Sequence, residues 1–84
     1  MSMFDLLERG ILEEGEQLVI VRRSAPPVVG LLNADGTIKV GTIVCNSPSE
    51  AARRALGERP VDGWLRWRVV RLGNATLASL RETE

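Results

Sequence analysis

Eighty-four residues and 9.2 kDa allow burial of only about 60 to 65% of the unfolded surface, which excludes a large enzyme carrying its own cofactor-binding half. A hydrophobic fraction of 44% and a charged fraction of 26% are those of an ordinary globular domain and exclude intrinsic disorder. Eleven Lys+Arg balance eleven Asp+Glu, and a formal zero argues at first sight against a nucleic-acid partner.

Ser2 to Gly10 reads as a short helix, with Ser2 as N-cap, Asp5 three positions on and Gly10 as the left-handed stop. Phe4, Leu7 and Ile11 then share a face. After the Glu14-Gly15-Glu16 turn, Gln17 to Arg23 is rich in β-branched residues and predicts a strand. Ala25-Pro26-Pro27 cannot donate to a ladder and forms a loop or edge, where Arg22 and Arg23 either extend a basic patch or guard an edge strand. Val28 to Asn33 and Ile38 to Cys45 flank Asn33-Ala34-Asp35-Gly36, and Asp-Gly between two apolar runs signals a hairpin. Three strands are therefore expected before residue 46. Ser47-Pro48-Ser49-Glu50 starts a helix: Ser47 caps the Glu50 amide, Glu50 reaches back to Ser47, and Pro48 takes the first helical position. This helix runs to about Leu56, with Gly57 as its stop. Trp64 to Arg71 alternates as a strand, Leu65, Trp67 and Val69 on one face and Trp64, Arg66, Arg68 and Val70 on the other. A helix from Thr76 to about Arg81 closes the chain. The expected fold is a small single α+β domain over residues 1–84, an antiparallel sheet of about four strands in the order α-β-β-β-α-β-α.

The chain has no histidine and one cysteine, which excludes histidine acid/base chemistry, an internal disulfide and a Cys/His zinc site. Cys45 ends an apolar run and reads as a small buried hydrophobe. An enzyme is not expected, nor any cofactor or metal. Apolar stretches such as Leu18 to Val21 are too short to span a bilayer, and the acidic N-terminus is unlike a signal peptide, so a cytoplasmic protein without a membrane partner is expected.

The neutral total divides along the chain. Residues 1–42 are net −2 and residues 43–84 net +2, ten of the eleven cations are arginine, and Arg53 to Arg71 holds six Arg against Glu58 and Asp62. Arginine is suited to bidentate recognition of phosphate and base edges, although a genome bias toward arginine explains the same composition.

Several segments together resemble one family. They are Leu6-Leu7-Glu8-Arg9-Gly10-Ile11-Leu12 with Gly15-Glu16; Ala34-Asp35-Gly36-Thr37-Ile38; Ser47-Pro48-Ser49-x-Ala51-Ala52; Gly63-Trp64-x-x-Trp67-Arg68-Val69; and Leu77. In this order and spacing they resemble the RAMA domain, the restriction enzyme and adenine methylase associated domain, over nearly the whole chain. The resemblance implies a small α+β accessory domain, found at the C-terminus of some adenine methyltransferases and beside restriction-type nucleases, that binds DNA and senses modified DNA. Where the family reads Gly-Trp-basic-aromatic-Trp, this chain exchanges the middle pair as Leu65-Arg66.

The residues expected at a DNA surface follow. Ser47 and Ser49 sit at a helix N-terminus suited to a phosphate, against a plain capping role for Ser47, so Ser49 is the better ligand candidate. Trp64 either stacks on an exposed base or seals a core edge under arginine stems, while Trp67 belongs to the core. Arg53, Arg54, Arg59, Arg66, Arg68 and Arg71 form one basic surface if helix and strand are neighbours; otherwise Arg53 pairs with Glu50 or Glu58 and the rest are solvated. The expected partner is DNA, bound weakly and salt-sensitively, with a methyltransferase or nuclease subunit as a further partner. The rival function is a protein-interaction or oligomerisation domain using a strand edge and Trp64.

Overall fold

The computed structural model describes residues 2–57 and 61–81. Helix α1 (Met3–Glu8) begins at a complete capping box: Ser2 Oγ accepts from the Asp5 amide, and the Asp5 carboxylate accepts from the Ser2 amide. The second bond holds the Asp5 carboxyl below its usual range. The buried face of α1 is Met3 and Leu6, joined after the turn by Leu12. Of the face shared by Phe4, Leu7 and Ile11, Leu7 and Ile11 pack against the core while Phe4 is 47% exposed.

Strand β1 (Gln17–Ile20) pairs with β2 (Val28–Leu32), which pairs with β3 (Ile38–Val40) across the expected Asn33 to Gly36 turn. The single run expected from Ile38 to Cys45 is two strands. Gly41, at φ +62°, turns the chain so that β4 (Ile43–Cys45) folds back on β3, with Val40 opposite Ile43. A two-residue hairpin with glycine at its first central position takes the right-handed twist of the strands that flank it.

Helix α2 (Pro48–Leu56) starts on Ser47 and ends at Gly57 in the left-handed conformation, as its sequence predicts. The strand expected over Trp64 to Arg71 is overturned. Gly63–Arg66 is one helical turn, α3, capped by the Asp62 carboxylate accepting from the Trp64 amide at 3.0 Å. Only Arg68–Val69 (β5) is extended, followed by a 3-10 turn at Val70–Leu72. The chain reverses through Gly73 and Asn74, both at positive φ, into β6 (Ala75–Thr76) and α4 (Leu77–Arg81). The result is an α+β fold with one antiparallel sheet of six strands, not about four, in the order β4-β3-β2-β1-β5-β6.

Leu18, Ile20, Leu32, Ile38, Cys45 and Val69 line the inner face of the sheet and meet Leu6, Ala51, Ala52, Trp67, Leu77 and Leu80 in one core. Burial pushes the Cys45 thiol pKa up, consistent with a packed apolar group. The alternate strand positions, Gln17, Val19, Val29, Leu31, Lys39, Val44 and Arg68, face the other way.

Glu16 is the one buried charged residue among those described. Arg71 Nε and Nη2 donate to its carboxylate at 2.8 to 3.2 Å, and Nη2 also donates to the Ile11 carbonyl at 3.0 Å. Arg71 thereby ties the 3-10 turn to the loop before β1. Its hydrogen bonds hold the Glu16 carboxyl below the ordinary value of 4.5. A carboxylate depressed in the folded state contributes stability that is complete above its unfolded pKa and is lost as pH falls through the lower folded value. Because Arg71 is half in water, Glu16→Gln is expected to cost only about 1 to 2 kcal/mol at neutral pH. Thermal melts between about pH 3 and 7 should show the variant losing less stability than the parent below the ordinary carboxylate value; parallel acid limbs would refute the coupling.

Candidate nucleic-acid interface

The two serines at the start of α2 do different work. Ser47 Oγ accepts from the Glu50 amide at 3.1 Å. The Glu50 carboxylate reaches back to the Asn46 amide at 3.3 Å, one residue before the expected Ser47. Ser49 Oγ accepts from the Gly63 amide at 3.0 Å, so its oxygen fastens α2 to α3. Gly63 itself is pressed against the backbone of Pro48 and Ser49, where a Cβ would overlap the Pro48 carbonyl. Trp67 completes this joint: its Nε1 donates to the Pro48 carbonyl at 3.0 Å, and its six-membered ring lies over Gly30 of β2. Trp67 is fully buried, as the sequence predicts.

Trp64 is half-buried. The expectation that Arg66 and Arg68 flank it rested on a regular strand; in α3 its ring is instead covered by Arg81, whose guanidinium carbon stands 4.1 Å from the ring centroid. Arg81 was not singled out from the sequence, where its signal is only that of a cation in the last helical turn. Leu65, expected beside Trp67, is 59% exposed for the same reason.

The arginines do not form one surface. Arg53 and Arg54 lie in the last turn of α2, Arg54 within 3.9 Å of the Glu50 carboxylate. Arg66 ends α3. Among the described residues, helices α2, α3 and α4 carry Arg53, Arg54, Arg66 and Arg81, with Glu50 in α2 and Asp62 at the α3 cap as the carboxylates beside them. Arg68 is excluded from this layer: its neighbour Val69 points into the core, which sends Arg68 to the opposite face of the sheet, where it donates to the Asn74 carbonyl at 3.1 Å. Arg71 is occupied by Glu16. Arg22, at the Pro-Pro loop, donates twice to the Pro26 carbonyl and braces that loop. Arg59 and Glu58 lie outside the described residues.

Among the described residues no group of three His, Cys, Asp or Glu is placed to hold a metal ion. None of their helices is long and apolar enough to cross a membrane. A search of curated proteins gives no match. A family profile, by contrast, matches residues 1–83. The chain belongs to the RAMA family, Restriction Enzyme Adenine Methylase Associated.

Proposed function

We propose that the domain is a non-catalytic DNA-binding module of a restriction-modification or DNA-methylation system, with recognition of modified bases as its finer task. The observation that carries the reading is the charge of the helical layer, where the described residues of three packed helices and their caps set four arginines against Glu50 and Asp62 in a chain whose total charge is zero. Two or three phosphates neutralised there give a slope of log affinity against log salt of roughly −2 to −3. Such an interaction is weak and salt-sensitive, and becomes useful when a partner enzyme or a recognised modification adds to it.

Fluorescence anisotropy at low salt, with duplex and single-stranded DNA and with and without methylated bases, tests the proposal. The double variant Arg53→Ala/Arg54→Ala is expected to weaken binding several-fold and to flatten the salt slope by roughly 1 to 2. Arg68→Ala, on the far face of the sheet, should leave both unchanged. Absence of binding to every DNA, or an Arg68 effect equal to that of Arg53 and Arg54, overturns the reading.

A second reading rests on the outward sheet face. Val29, Leu31 and Val44 are 45%, 45% and 56% exposed there, and the strand positions beside them carry Lys39 and Arg68 but no carboxylate. Contiguous exposed apolar surface marks an interaction site, and this one suits a methyltransferase subunit presenting an apolar patch rimmed by carboxylates. Association that survives high salt and is lost in Val29→Asp, with no DNA affinity, would favour it over DNA binding.

A further inference from the structure

A cleft of about 300 Å³ lies between the start of α1, the turn joining β2 to β3, and α3. Its size stands at the lower end of small-molecule sites, roughly 300 to 1,000 Å³. Phe4, Trp64, Asp35 and Asn46 supply its chemistry. None of the four belongs to the salt link at Glu16 or to the Pro48-Gly63-Trp67 joint.

The apolar lining is Met3, Phe4, Pro48 and Trp64. Phe4 is half exposed in a helix whose other apolar residues face the core. Trp64 opens on the cleft while Arg81 sits against its ring. A guanidinium already held by the indole makes a second cation a poor guest and a neutral electron-rich ring a good one.

The polar groups narrow the guest further. Asp35 Oδ1 accepts from the Thr37 amide at 3.0 Å and from Thr37 Oγ1 at 2.6 Å. These bonds hold the carboxyl below its usual range, so Asp35 is an acceptor only. The Asn46 backbone amide donates to Glu50, while its side-chain amide has no partner among the described residues. An ionised carboxylate repels a phosphodiester, so a nucleotide enters this cleft by its base edge with its backbone outside. Adenine and cytosine bring an exocyclic amino donor to such a carboxylate, and an asparagine amide matches an adenine edge. Thymine brings one ring N–H between two carbonyl oxygens, which face the carboxylate unfavourably.

We propose that this cleft receives one unstacked nucleobase bearing an exocyclic amino group, with Trp64 as the stacking wall, Asp35 accepting from the amino group and Asn46 pairing with the ring edge. The proposal rests on the DNA-binding reading and names the part of the strand that is read. The base comes from single-stranded DNA or from a nucleotide turned out of a duplex.

Short single-stranded dA, dC and dT oligonucleotides, set beside a duplex with and without one mismatched adenine, separate the two. Trp67 is buried and out of reach of a stacked base, so quenching of tryptophan fluorescence by the strand reports Trp64, while anisotropy of the same labelled strands reports binding anywhere on the domain. The dA and dC strands are expected to quench the fluorescence and to bind about tenfold tighter than dT. This order is diagnostic, because a surface that merely stacks single strands favours pyrimidine runs, thymine included. Trp64→Ala should weaken dA binding by roughly five- to a hundredfold. Asp35→Asn, which keeps the turn's hydrogen bonds, should bring the dA and dT affinities together, with circular dichroism confirming the fold of both variants. Binding by anisotropy with no quenching and equal dA and dT affinity refutes the cleft and leaves the DNA reading standing. Absence of binding by every strand and duplex removes both.

Discussion

Gly63→Ala is expected to unfold the domain or bring it close to unfolding. Helix propensity predicts the opposite sign, since alanine in place of glycine within a helical turn gains up to about 1 kcal/mol. The surroundings decide against it. Gly63 is buried, its φ is not positive, and a Cβ there would overlap the carbonyl of Pro48 and the amide nitrogen of Ser49. These are backbone atoms of the first turn of α2, so no side chain can swing aside. Relief requires α3 to withdraw from α2, and withdrawal breaks the Gly63 amide bond to Ser49 Oγ and the Trp67 indole bond to the Pro48 carbonyl. Overpacking alone costs about 1 to 3 kcal/mol, and each buried hydrogen bond lost adds about 1 kcal/mol or more. At roughly 0.05 to 0.15 kcal/mol per residue, a chain of this size has only about 4 to 12 kcal/mol to lose. Urea denaturation should therefore show a much lower midpoint for Gly63→Ala, whereas a midpoint at or above that of the parent would mean that α2 and α3 are not pressed together.

This joint also explains what the sequence could and could not disclose. Helix α2 was legible because its signals are local: Ser47 caps, Pro48 tolerates the first turn, and Gly57 takes the left-handed stop. The Asn33 to Gly36 turn was legible for the same reason. Helix α3 was not, since four residues make too little of a 3.6-residue repeat to compete with the accidental two-residue alternation of Leu65, Trp67 and Val69. Its one local clue, the Asp62 cap, looks the same as a loop aspartate. The extra strand at β4 turned on Gly41, whose positive φ has no signature beyond glycine itself.

At the site, Ser49 has the chemistry of a phosphate ligand, and only the fold reveals an amide 14 residues away at its oxygen. The six arginines between residues 53 and 71 add up as one charge along the chain but not in space. Strand alternation sends Arg68 outward, and Glu16, 55 residues distant, engages Arg71. The segments that carry the family resemblance, Ser-Pro-Ser and Gly-Trp-x-x-Trp, are read from their order and spacing, and the fold brings them together: Pro48 and Ser49 meet Gly63 and Trp67.

Trp67 is the other position where a large loss is expected. Trp67→Ala should cost about 3 to 5 kcal/mol, the range for emptying a fully buried aromatic site. Trp67→Phe is the more informative change, because it separates the ring from its hydrogen bond. Phenylalanine leaves the Pro48 carbonyl without the indole N–H and leaves space over Gly30, where the Trp67 ring and Ile38 now stand 3.1 Å from the position a Cβ would take. That space predicts a coupling. Gly30→Ala alone should be neutral to destabilising, because the gain of about 0.5 to 1 kcal/mol from replacing a strand glycine is opposed by the crowding against the indole. In the Trp67→Phe background the same methyl enters room that phenylalanine vacates, so the double variant should be more stable than the sum of the single changes allows, by about 0.5 to 2 kcal/mol. Additive values in urea denaturation would show that the ring does not rest on β2. The coupling bears on function as well, since α3 carries Trp64 and Arg66 and is held to α2 through Trp67. Trp67→Phe should consequently weaken DNA binding under conditions where it is still folded, although Trp67 itself, fully buried, touches no ligand.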